Sequence, residues 1–237
     1  MDYEHCFSPL REAGAGRSFV VAQLGQSLDG RIATPTGESR WINGHAALVH
    51  VHRLRSEVDG VLVGVGTAIA DNPQLNVRHV TGRNPTRVIL DPSGRMPSDL
   101  KCLAADGARR IVVRACGSRD GGSPYPNGVE TIELPAAAGV ISPLEVVAAL
   151  ARTGLHRILI EGGAHTVSAF VNAGAVDRLH ILMAPVILGS GKSGLALQPI
   201  ERLSEALRFR ADVHVLDGGD VLFDCDLRSR AVEGLTP

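Results

Sequence analysis

The chain has 237 residues, enough for one large domain or two small ones with a sizeable core. Its formal net charge of −1 excludes a global attraction to nucleic acid or to an anionic membrane. The four cysteines are widely spread without a C-x-x-C, and the first 17 residues lack the apolar core of a secretory signal. These features favour a reduced, cytoplasmic setting and give a zinc site little support.

Six short apolar runs predict strands. They lie at 19–24, 60–65, 87–91, 110–115, 157–161 and 179–188. Their near-continuous apolar character indicates strands covered on both faces, as in a parallel or mixed α/β sheet. Apolar residues at helical spacing predict helices at 44–57, 143–153 and 165–173. Near the end of the sequence, two alternating runs flank Asp-Gly-Gly-Asp at 217–220, which predicts a hairpin and an antiparallel end to the sheet.

This succession of elements predicts one α/β domain over residues 18–228. A flexible arm is expected over residues 1–17, where charge, proline and glycine are mixed. Residues 229–237 are expected to form a C-terminal tail.

Two glycine-rich stretches are similar to nucleotide-binding motifs without matching them. In "LGSGKSG" (188–194), Val186 stands where the phosphate-loop pattern needs a glycine. In "VGVGTAIA" (63–70), Ile69 stands where the dinucleotide fingerprint needs its third glycine. Both stretches still predict turns whose backbone amides can meet a phosphate.

The predicted helix at 44–57 carries a core stripe and an arginine at its edge. Asn43 is the predicted N-cap, because a side-chain amide can accept from the first turn. The predicted core positions are Leu48, Val51, Leu54 and Val58. Arg55 either extends to water or faces an anion in a cleft.

Three histidines on the same helix invite comparison with a metal site. His45, His50 and His52 do not form H-E-x-x-H, and no cysteine or carboxylate stands nearby at ligand spacing. They are therefore interpreted as solvated helix residues, and no metal is expected.

The stretch "LIEGGAHTVSAFVNAG" (159–174) places Glu161 at the end of an apolar strand, where open α/β sheets bind ligands. Gly162-Gly163 would let the backbone approach a phosphate, with free amides at the start of the next helix. The predicted anchors of that helix to the sheet are Val167, Phe170 and Val171.

Four stretches together resemble the pyrimidine reductase family of riboflavin biosynthesis. They are "QSLDGRIATPTGESRWI" (26–42), "LVGVGTAIADNPQLNVR" (62–78), "RVILDPSGRMP" (87–97) and "LIEGGAHTVSAFVNAGAVDRLHILMAPVILGSG" (159–191). In many bacteria this domain is the C-terminal half of a bifunctional deaminase/reductase. The resemblance implies a dihydrofolate-reductase-like, three-layer α/β fold, with a central mixed, mostly parallel sheet, helices on both faces and a C-terminal antiparallel hairpin.

The resemblance also implies an activity. The expected reaction is the NADPH-dependent reduction of a 5-phosphoribosylamino-pyrimidine to the ribitylamino product, with hydride delivered to C1′ of the ring-opened ribose, by a homodimer. Deaminases of this pathway carry H-x-E and P-C-x-x-C around zinc. Neither pattern occurs in the sequence, so no deaminase activity is expected.

Residues matching the family's motifs are the expected ligand contacts. Those expected to contact substrate are Ser39, Arg55, Leu75, Arg78 and Glu161. Those expected to contact NADPH are Trp41, Thr67, Asp71, Gly163, Ala164, His165, Thr166, Val167, Ser168 and Ala169. The two arginines suit the ribose 5-phosphate, and the glutamate suits N–H groups or hydroxyls of the substrate.

Two carboxylates are candidates for catalysis. Asp29 and Glu161 are the candidates for proton transfer, although Asp29 fits better as part of a tight turn that shapes the site. For Trp41, core packing is the alternative to a cofactor contact.

One departure from the family leaves the substrate open. Gln23 stands where many relatives have lysine. An amino or deaminated pyrimidine remains possible, and so does a dihydropterin or dihydrofolate. A catalytically silent nucleotide-binding module is a third alternative, but it would not need Arg55, Asp71, Arg78 and Glu161 together. The proton donor and the choice between NADPH and NADH also stay open.

Overall fold

A nine-stranded sheet runs through the middle of the molecule, which is described by a computed structural model over residues 4–13, 16–118 and 125–229. The strands are β1 (Phe19–Ser27), β2 (Arg31–Ala33), β3 (Gly60–Gly64), β4 (Thr86–Leu90), β5 (Arg110–Ala115), β6 (Val129–Leu134), β7 (Ala136–Ala137), β8 (Val140–Ile141), β9 (Arg157–Ile160), β10 (Arg178–Ala184), β11 (Lys192–Ser193), β12 (Arg210–Val215) and β13 (Val221–Asp226). The sheet order is β12-β13-β10-β1-β9-β3-β4-β5-β6. Only the pairings of β13 with β10 and β12 are antiparallel in it.

Helices cover both faces of the sheet. They are α1 (Ser8–Glu12), α2 (His45–Glu57), α3 (Val65–Asp71), α4 (Pro143–Arg152) and α5 (Ala164–Asn172). Leu54 and Ala68, from α2 and α3, lie in one buried apolar cluster, while Leu150 and Phe170, from α4 and α5, lie in a second one. In the described part of the chain, no helix has the length and apolar character needed to cross a lipid bilayer.

The predicted three-layer architecture is confirmed, and the predicted strands and helices are found within a few residues of their expected ends. Strand β10 stops at Ala184 rather than at 188, because Pro185 has no N–H for the ladder. The predicted hairpin is formed by β12 and β13, with Val215 opposite Val221 beside the turn. Val167, Phe170 and Val171 are buried and attach α5 to the sheet, as predicted.

The N-terminal residues differ from the expected arm where they are described. Residues 4–7 form a 3₁₀ turn that leads into α1. Cys6, Phe7 and Leu10 are buried in the same apolar cluster as Leu54. The reason is hydrophobic, since removing these side chains from water favours docking over extension into solvent.

The start of α2 also differs from the prediction. Asn43 is not the N-cap; that position is held by Gly44, which makes no side-chain cap bond. The Gly44 N–H instead donates to Oδ2 of buried Asp220 at 2.6 Å, and the Asn43 side-chain amide donates to the Leu182 carbonyl at 3.0 Å. The C-terminal hairpin therefore supplies the acceptor for the first turn of α2.

The interpretation of the helix histidines as solvated is wrong for two of the three. His50 and His52 are buried, whereas His45 is exposed. His50 Nε2 lies 3.0 Å from Nδ1 of His180 on β10, and His52 Nδ1 accepts the Arg78 backbone N–H at 3.1 Å. Each ring thus finds inside the protein a partner that replaces water.

Candidate functional site

A cleft of about 980 Å³ opens at the carboxyl ends of the central parallel strands. Val63 and Gly64 reach it from β3, Leu90 from β4, and Glu161 directly after β9. Open α/β sheets bind ligands at this edge, because the strands end there and loops diverge. The volume is at the upper end of the roughly 300–1,000 Å³ usual for small-molecule sites, which suits two ligands side by side.

Arg55 of α2 and Glu161 form a buried ion pair in the cleft wall. Arg55 Nε donates to Glu161 Oε1 and Nη2 donates to Oε2, both at 2.7 Å. Both side chains are less than a tenth exposed. Nη1 of Arg55 donates to the Asn76 carbonyl at 3.0 Å, so all three of its nitrogens are engaged.

The pair changes what each partner can do. Burial alone would lower the pKa of Arg55, but the Glu161 carboxylate raises it above the ordinary value and keeps the guanidinium charged. Of the two alternatives predicted for Arg55, extension to water is wrong, since the side chain is buried. Arg55 faces an anion in the cleft, but that anion is the Glu161 carboxylate of the protein itself. Arg55 instead orients Glu161, whose remaining lone pairs are positioned for donors in the cleft.

The glycine turn after Glu161 packs directly on α3. Thr67 Oγ1 accepts the Gly163 N–H at 2.8 Å. A Cβ on Gly162, whose φ is +107°, would lie 2.8 Å from the same oxygen, so this turn requires glycine. The turn and the first residues of α3 and α5 thereby form one continuous floor of backbone beside the ion pair.

The residues expected to contact cofactor separate into two groups. Gly163, Ala164, His165 and Thr166 line the cleft, together with Thr67 and exposed Asp71. The other four, Trp41, Val167, Ser168 and Ala169, do not line it. Val167 is fully buried in the apolar core, and Ser168 Oγ accepts the Ala196 N–H at 2.8 Å.

The remaining residues expected to contact substrate are also divided. Ser39 and Leu75 line the cleft. Leu75 is buried with φ at +53°, a conformation that is strained for a branched side chain and occurs mainly at functional sites. Arg78 is exposed outside the cleft wall, and its Nη1 donates to Asn76 Oδ1 at 3.0 Å. It still lies in the field of the ion pair, because burial and Arg55 lower its pKa while Glu161 opposes them.

Trp41 is not a core residue. Its side chain is 84% exposed and its φ is +70°, so the core-packing alternative is wrong. It stands two residues after Ser39 without lining the cleft itself. An exposed indole in a strained backbone conformation is available to cover a ligand, and the cofactor contact stays a prediction.

Asp29 has a positioning geometry. Ser27 donates to its Oδ1 at 2.5 Å, and the N–H groups of Leu188 and Gly189 donate to its two oxygens at 3.1 and 2.7 Å. The Ser27 hydroxyl, followed by these amides, lowers the pKa of Asp29 to about 2. Such a carboxyl remains ionised at neutral pH, and it ties the loop after β1 to the loop after β10.

Four polar side chains of the cleft had no assigned role in the sequence: Ser93, Arg95, Lys192 and Ser193. Ser93 and Arg95 follow β4 in the turn held by buried Asp91, which accepts the Arg95 and Met96 N–H groups at 3.2 and 2.8 Å. Their position after a strand was the available signal. Lys192 lies in the glycine-rich stretch that fails the phosphate-loop pattern. Within the described ranges, no group of His, Cys, Asp and Glu side chains is arranged to hold a metal ion.

Comparisons with known proteins agree with this geometry. The family model of the RibD C-terminal domain matches residues 18–223. A riboflavin biosynthesis protein RibD of Aquifex aeolicus is 34% identical over 82% of this chain and 53% of its own length. A 2,5-diamino-6-ribosylamino-4(3H)-pyrimidinone 5′-phosphate reductase of Methanothermobacter thermautotrophicus is 30% identical over 88% of this chain and 97% of its own length.

Solved structures show the same relationship. Acinetobacter baumannii RibD superimposes with a TM-score of 0.75 at 32% identity, covering 89% of this chain and 58% of that one. The deaminase/reductase of Thermotoga maritima gives a TM-score of 0.75 at 29% identity over 89% of this chain and 56% of that one. The chain spans about half the length of the RibD relatives it matches. It belongs to the RibD C-terminal domain family.

Proposed function

We propose that the protein is an NADPH-dependent reductase that converts a 5-phosphoribosylamino-pyrimidine to its ribitylamino product in riboflavin biosynthesis. The observation that carries this proposal is the Arg55–Glu161 pair beside the glycine turn in one cleft. The Glu161 carboxylate, which can bind a heterocycle, therefore lies next to the glycine turn, whose backbone can bind a dinucleotide. The Methanothermobacter relative named as a pyrimidinone 5′-phosphate reductase, matched along 97% of its own length, supports the same assignment.

The chemistry needs few conventional acid or base residues. NADPH, when bound, supplies the hydride for C1′ of the ring-opened sugar. The protein must hold two anionic ligands so that the hydride of one lies next to C1′ of the other, and it must exclude water. Glu161 would accept hydrogen bonds from the pyrimidine or ribose, with Arg55 fixing its orientation. Asp29 is not the proton donor in this proposal, because its depressed pKa and its three donors keep it ionised.

The floor formed by Thr67, Gly163 and the start of α5 would carry the NADPH backbone. Ala164, His165 and Thr166 line the cleft, and the N–H groups of a first helical turn have no intrahelical acceptor, which favours a phosphate there. Asp71 at the end of α3 would accept from a ribose hydroxyl. Trp41 would cover the bound nicotinamide or substrate.

Steady-state oxidation of NADPH with candidate substrates tests the proposal. Amino and deaminated 5-phosphoribosylamino-pyrimidines are compared with a dihydropterin and dihydrofolate. We expect turnover of one or both phosphoribosyl compounds. Turnover of the pterin or folate alone would contradict the proposal and favour the alternative linked to Gln23, which lines the cleft. NADPH binding without any turnover would favour a silent module.

Phosphate recognition is tested separately at Arg78. We expect Arg78→Ala to raise KM about tenfold for a phosphorylated substrate and much less for its dephosphorylated form, since a charge-assisted hydrogen bond is lost only in the first case. Arg83→Ala is the matched control, because Arg83 is exposed and pairs with Asp59 instead. Equal effects on both substrates would argue against a phosphate contact of Arg78.

We also propose that the active form is a homodimer that uses the edge strand β12. Val213 and Val215 on this strand are 55% and 53% exposed, and Leu203 and Leu207 just before it are 81% and 58% exposed. An apolar edge strand is a liability in a monomer. We expect Val213→Lys with Val215→Lys to yield a monomer in sedimentation experiments, whereas Val140→Lys, equally exposed elsewhere, leaves the mass unchanged. A monomeric wild-type protein would contradict this proposal.

A further inference from the structure

Few charges in the cleft are free to meet a charged ligand. The charged aspartate, glutamate, lysine and arginine side chains that line it, among the described residues, are Arg55, Asp71, Arg95, Glu161 and Lys192. Arg55 and Glu161 neutralise each other at 2.7 Å. Two cations and one carboxylate remain, so the uncommitted part of the cleft favours an anion.

Lys192 is held over the cleft by a flap, defined as residues 28–39 and 186–194. Within it β2 pairs with β11, so that Lys192 lies opposite Ala33. Arg31 fastens the two halves, since its Nε donates to the Gly189 carbonyl and its Nη1 to Ser193 Oγ, both at 2.9 Å. The Asp29 carboxylate adds its bonds to the amides of 188 and 189. The backbone that carries Lys192 is therefore fixed from both sides.

The Lys192 ammonium has space made for it within the flap. Its Nζ lies 3.4 Å from the point where a Cβ on Gly37 would stand, and Gly37 has φ at +98°. A side chain at Gly37 would be strained and would crowd the ammonium. Both residues line the cleft. In the described part of the chain, no carboxylate lies within ion-pair distance of Lys192 Nζ, which leaves its three donors for a ligand.

The surroundings of Lys192 indicate which kind of anion it meets. Asp71 lines the same cleft; burial raises the pKa of its carboxyl, and the charges of Arg40 and then Lys192 oppose that rise. A carboxylate ligand offers two oxygens to the Lys192 ammonium, whereas a phosphate offers three and can also accept from the hydroxyl of Ser39, which lines the same cleft. A compact ammonium is a common binder of phosphate in proteins.

We propose that Lys192 is a specificity-determining residue that binds a phosphate group of a ligand in the cleft. Lys192 belongs to the flap, whereas Glu161 and the glycine turn lie at the end of a strand of the central sheet. The inference rests on the proposed function only in that both ligands of that reaction are phosphate esters. The phosphate belongs either to the dinucleotide or to the ribose 5-phosphate of the substrate. The shared chemistry is a phosphate oxygen accepting from the ammonium.

The chain offers an unusually clean test, because Lys101 and Lys192 are its only lysines. Reductive methylation of the native protein, read by peptide mass spectrometry, reports the accessibility of both ammonium groups in one sample. We expect Lys192 to be labelled several-fold more slowly in the presence of ligand, while Lys101, which does not line the cleft, is labelled at an unchanged rate. Protection by NADPH assigns the phosphate to the cofactor, and protection by ribose 5-phosphate assigns it to the substrate. Equal labelling of Lys192 with and without either probe would overturn the proposal.

Variants give an independent readout. We expect Lys192→Gln either to raise the Kd of NADPH about tenfold or to raise the substrate KM about tenfold, with kcat changed less. Whichever of the two constants rises should also depend less on salt than in the wild type. Lys192→Arg should restore most of the affinity, and Lys101→Gln is the matched control. If Lys192→Gln leaves both constants unchanged, the proposal fails. Protection of Lys192 without turnover of any candidate substrate would instead retain this inference and reject the proposed reaction.

Discussion

Two buried arginine–carboxylate pairs in this protein have the same geometry and different surroundings. Arg55 binds Glu161 through two bonds of 2.7 Å, and Arg178 binds Asp224 through bonds of 2.7 and 2.6 Å. The first pair connects α2 to the end of β9 in the wall of the cleft. The second connects neighbouring strands β10 and β13 within the sheet, away from the cleft.

The surroundings decide what each pair can do. Asp224 is fully buried, and His180 Nε2 lies 3.1 Å from its Oδ1. Burial alone would raise the pKa of Asp224, but its bonds with His180 and Arg178 lower it well below the ordinary value. Every oxygen of that carboxylate is occupied by the protein, whereas Glu161 has lone pairs left and borders open space. An arginine–carboxylate pair of this geometry is structural inside the sheet, as for Arg178–Asp224, and available to a ligand at the strand ends, as for Arg55–Glu161.

The largest expected effect comes from breaking the sheet pair. Asp224→Asn should lower the free energy of unfolding by about 3–5 kcal/mol, because Arg178 would be left charged and buried without its counter-ion. Urea unfolding measures this loss. Asp226→Asn is the control, since Asp226 is half-buried and lies 3.9 Å from Arg178, and it should cost less than about 1 kcal/mol. Equal losses of unfolding free energy in the two variants would show that the buried Arg178–Asp224 pair contributes no more to stability than the longer contact with Asp226.

Breaking the cleft pair should affect function more than stability. Glu161→Gln should lower kcat/KM about a hundredfold, roughly 2.7 kcal/mol, since the acceptor for the substrate and the orientation of Arg55 are both lost. The unfolding free energy should fall by about 1–3 kcal/mol, because water in the cleft can solvate Arg55. Steady-state kinetics and urea unfolding on the same preparation measure both. Unchanged kinetics with a stability loss equal to that of Asp224→Asn would contradict the comparison.

At neutral pH the smallest expected effect comes from His52, whose ring accepts the Arg78 N–H and whose contribution changes only as the pH falls. Burial, then Arg55 and Arg78, lower the pKa of His52 to about 3. The unfolded chain takes up this proton near pH 6.5, and the folded protein does not until about pH 3, so stability is lost as pH falls between these values. His50, whose pKa burial also lowers, acts in the same direction.

The variant His52→Asn isolates this contribution. Its amide oxygen can still accept the Arg78 N–H that His52 Nδ1 accepts. The unfolding free energy of the variant should decline less steeply below about pH 6.5, by at most about 1.4 kcal/mol per pH unit. Parallel pH profiles for variant and wild type, measured by urea unfolding, would show that His52 titrates alike in both states.

Local patterns were sufficient to predict the sheet and one edge of the site. Continuous apolar runs identify buried parallel strands, and a carboxylate directly after such a run lies at the ligand-binding edge, as Glu161 does. Thr67 was assigned to the site only through the family resemblance. The Asp-Gly-Gly-Asp turn similarly identified the antiparallel hairpin of β12 and β13.

Pairings between distant segments were beyond the same reasoning. His50 appeared solvated because its partner His180 lies 130 positions away. For Arg55 the sequence left two alternatives, water or an anion in a cleft, because nothing near it in sequence identified Glu161, 106 positions later, as its counter-ion. The N-terminal turn carrying Phe7 is too short to show a period, so its docking depends on an apolar surface that exists only after the sheet has formed.

The bond from Gly44 to Asp220 has a consequence for the order in which the protein is made. Helix α2 carries Arg55, yet the acceptor for its first turn arrives 176 positions later, with the last hairpin. During synthesis α2 leaves the ribosome long before that carboxylate exists, so its N-terminus stays uncapped until the chain is nearly complete. Assembly of the cleft wall is therefore coupled to the C-terminal hairpin. Nascent chains that stop before Asp220 should lack an ordered binding site, even though every residue that lines the cleft is already present.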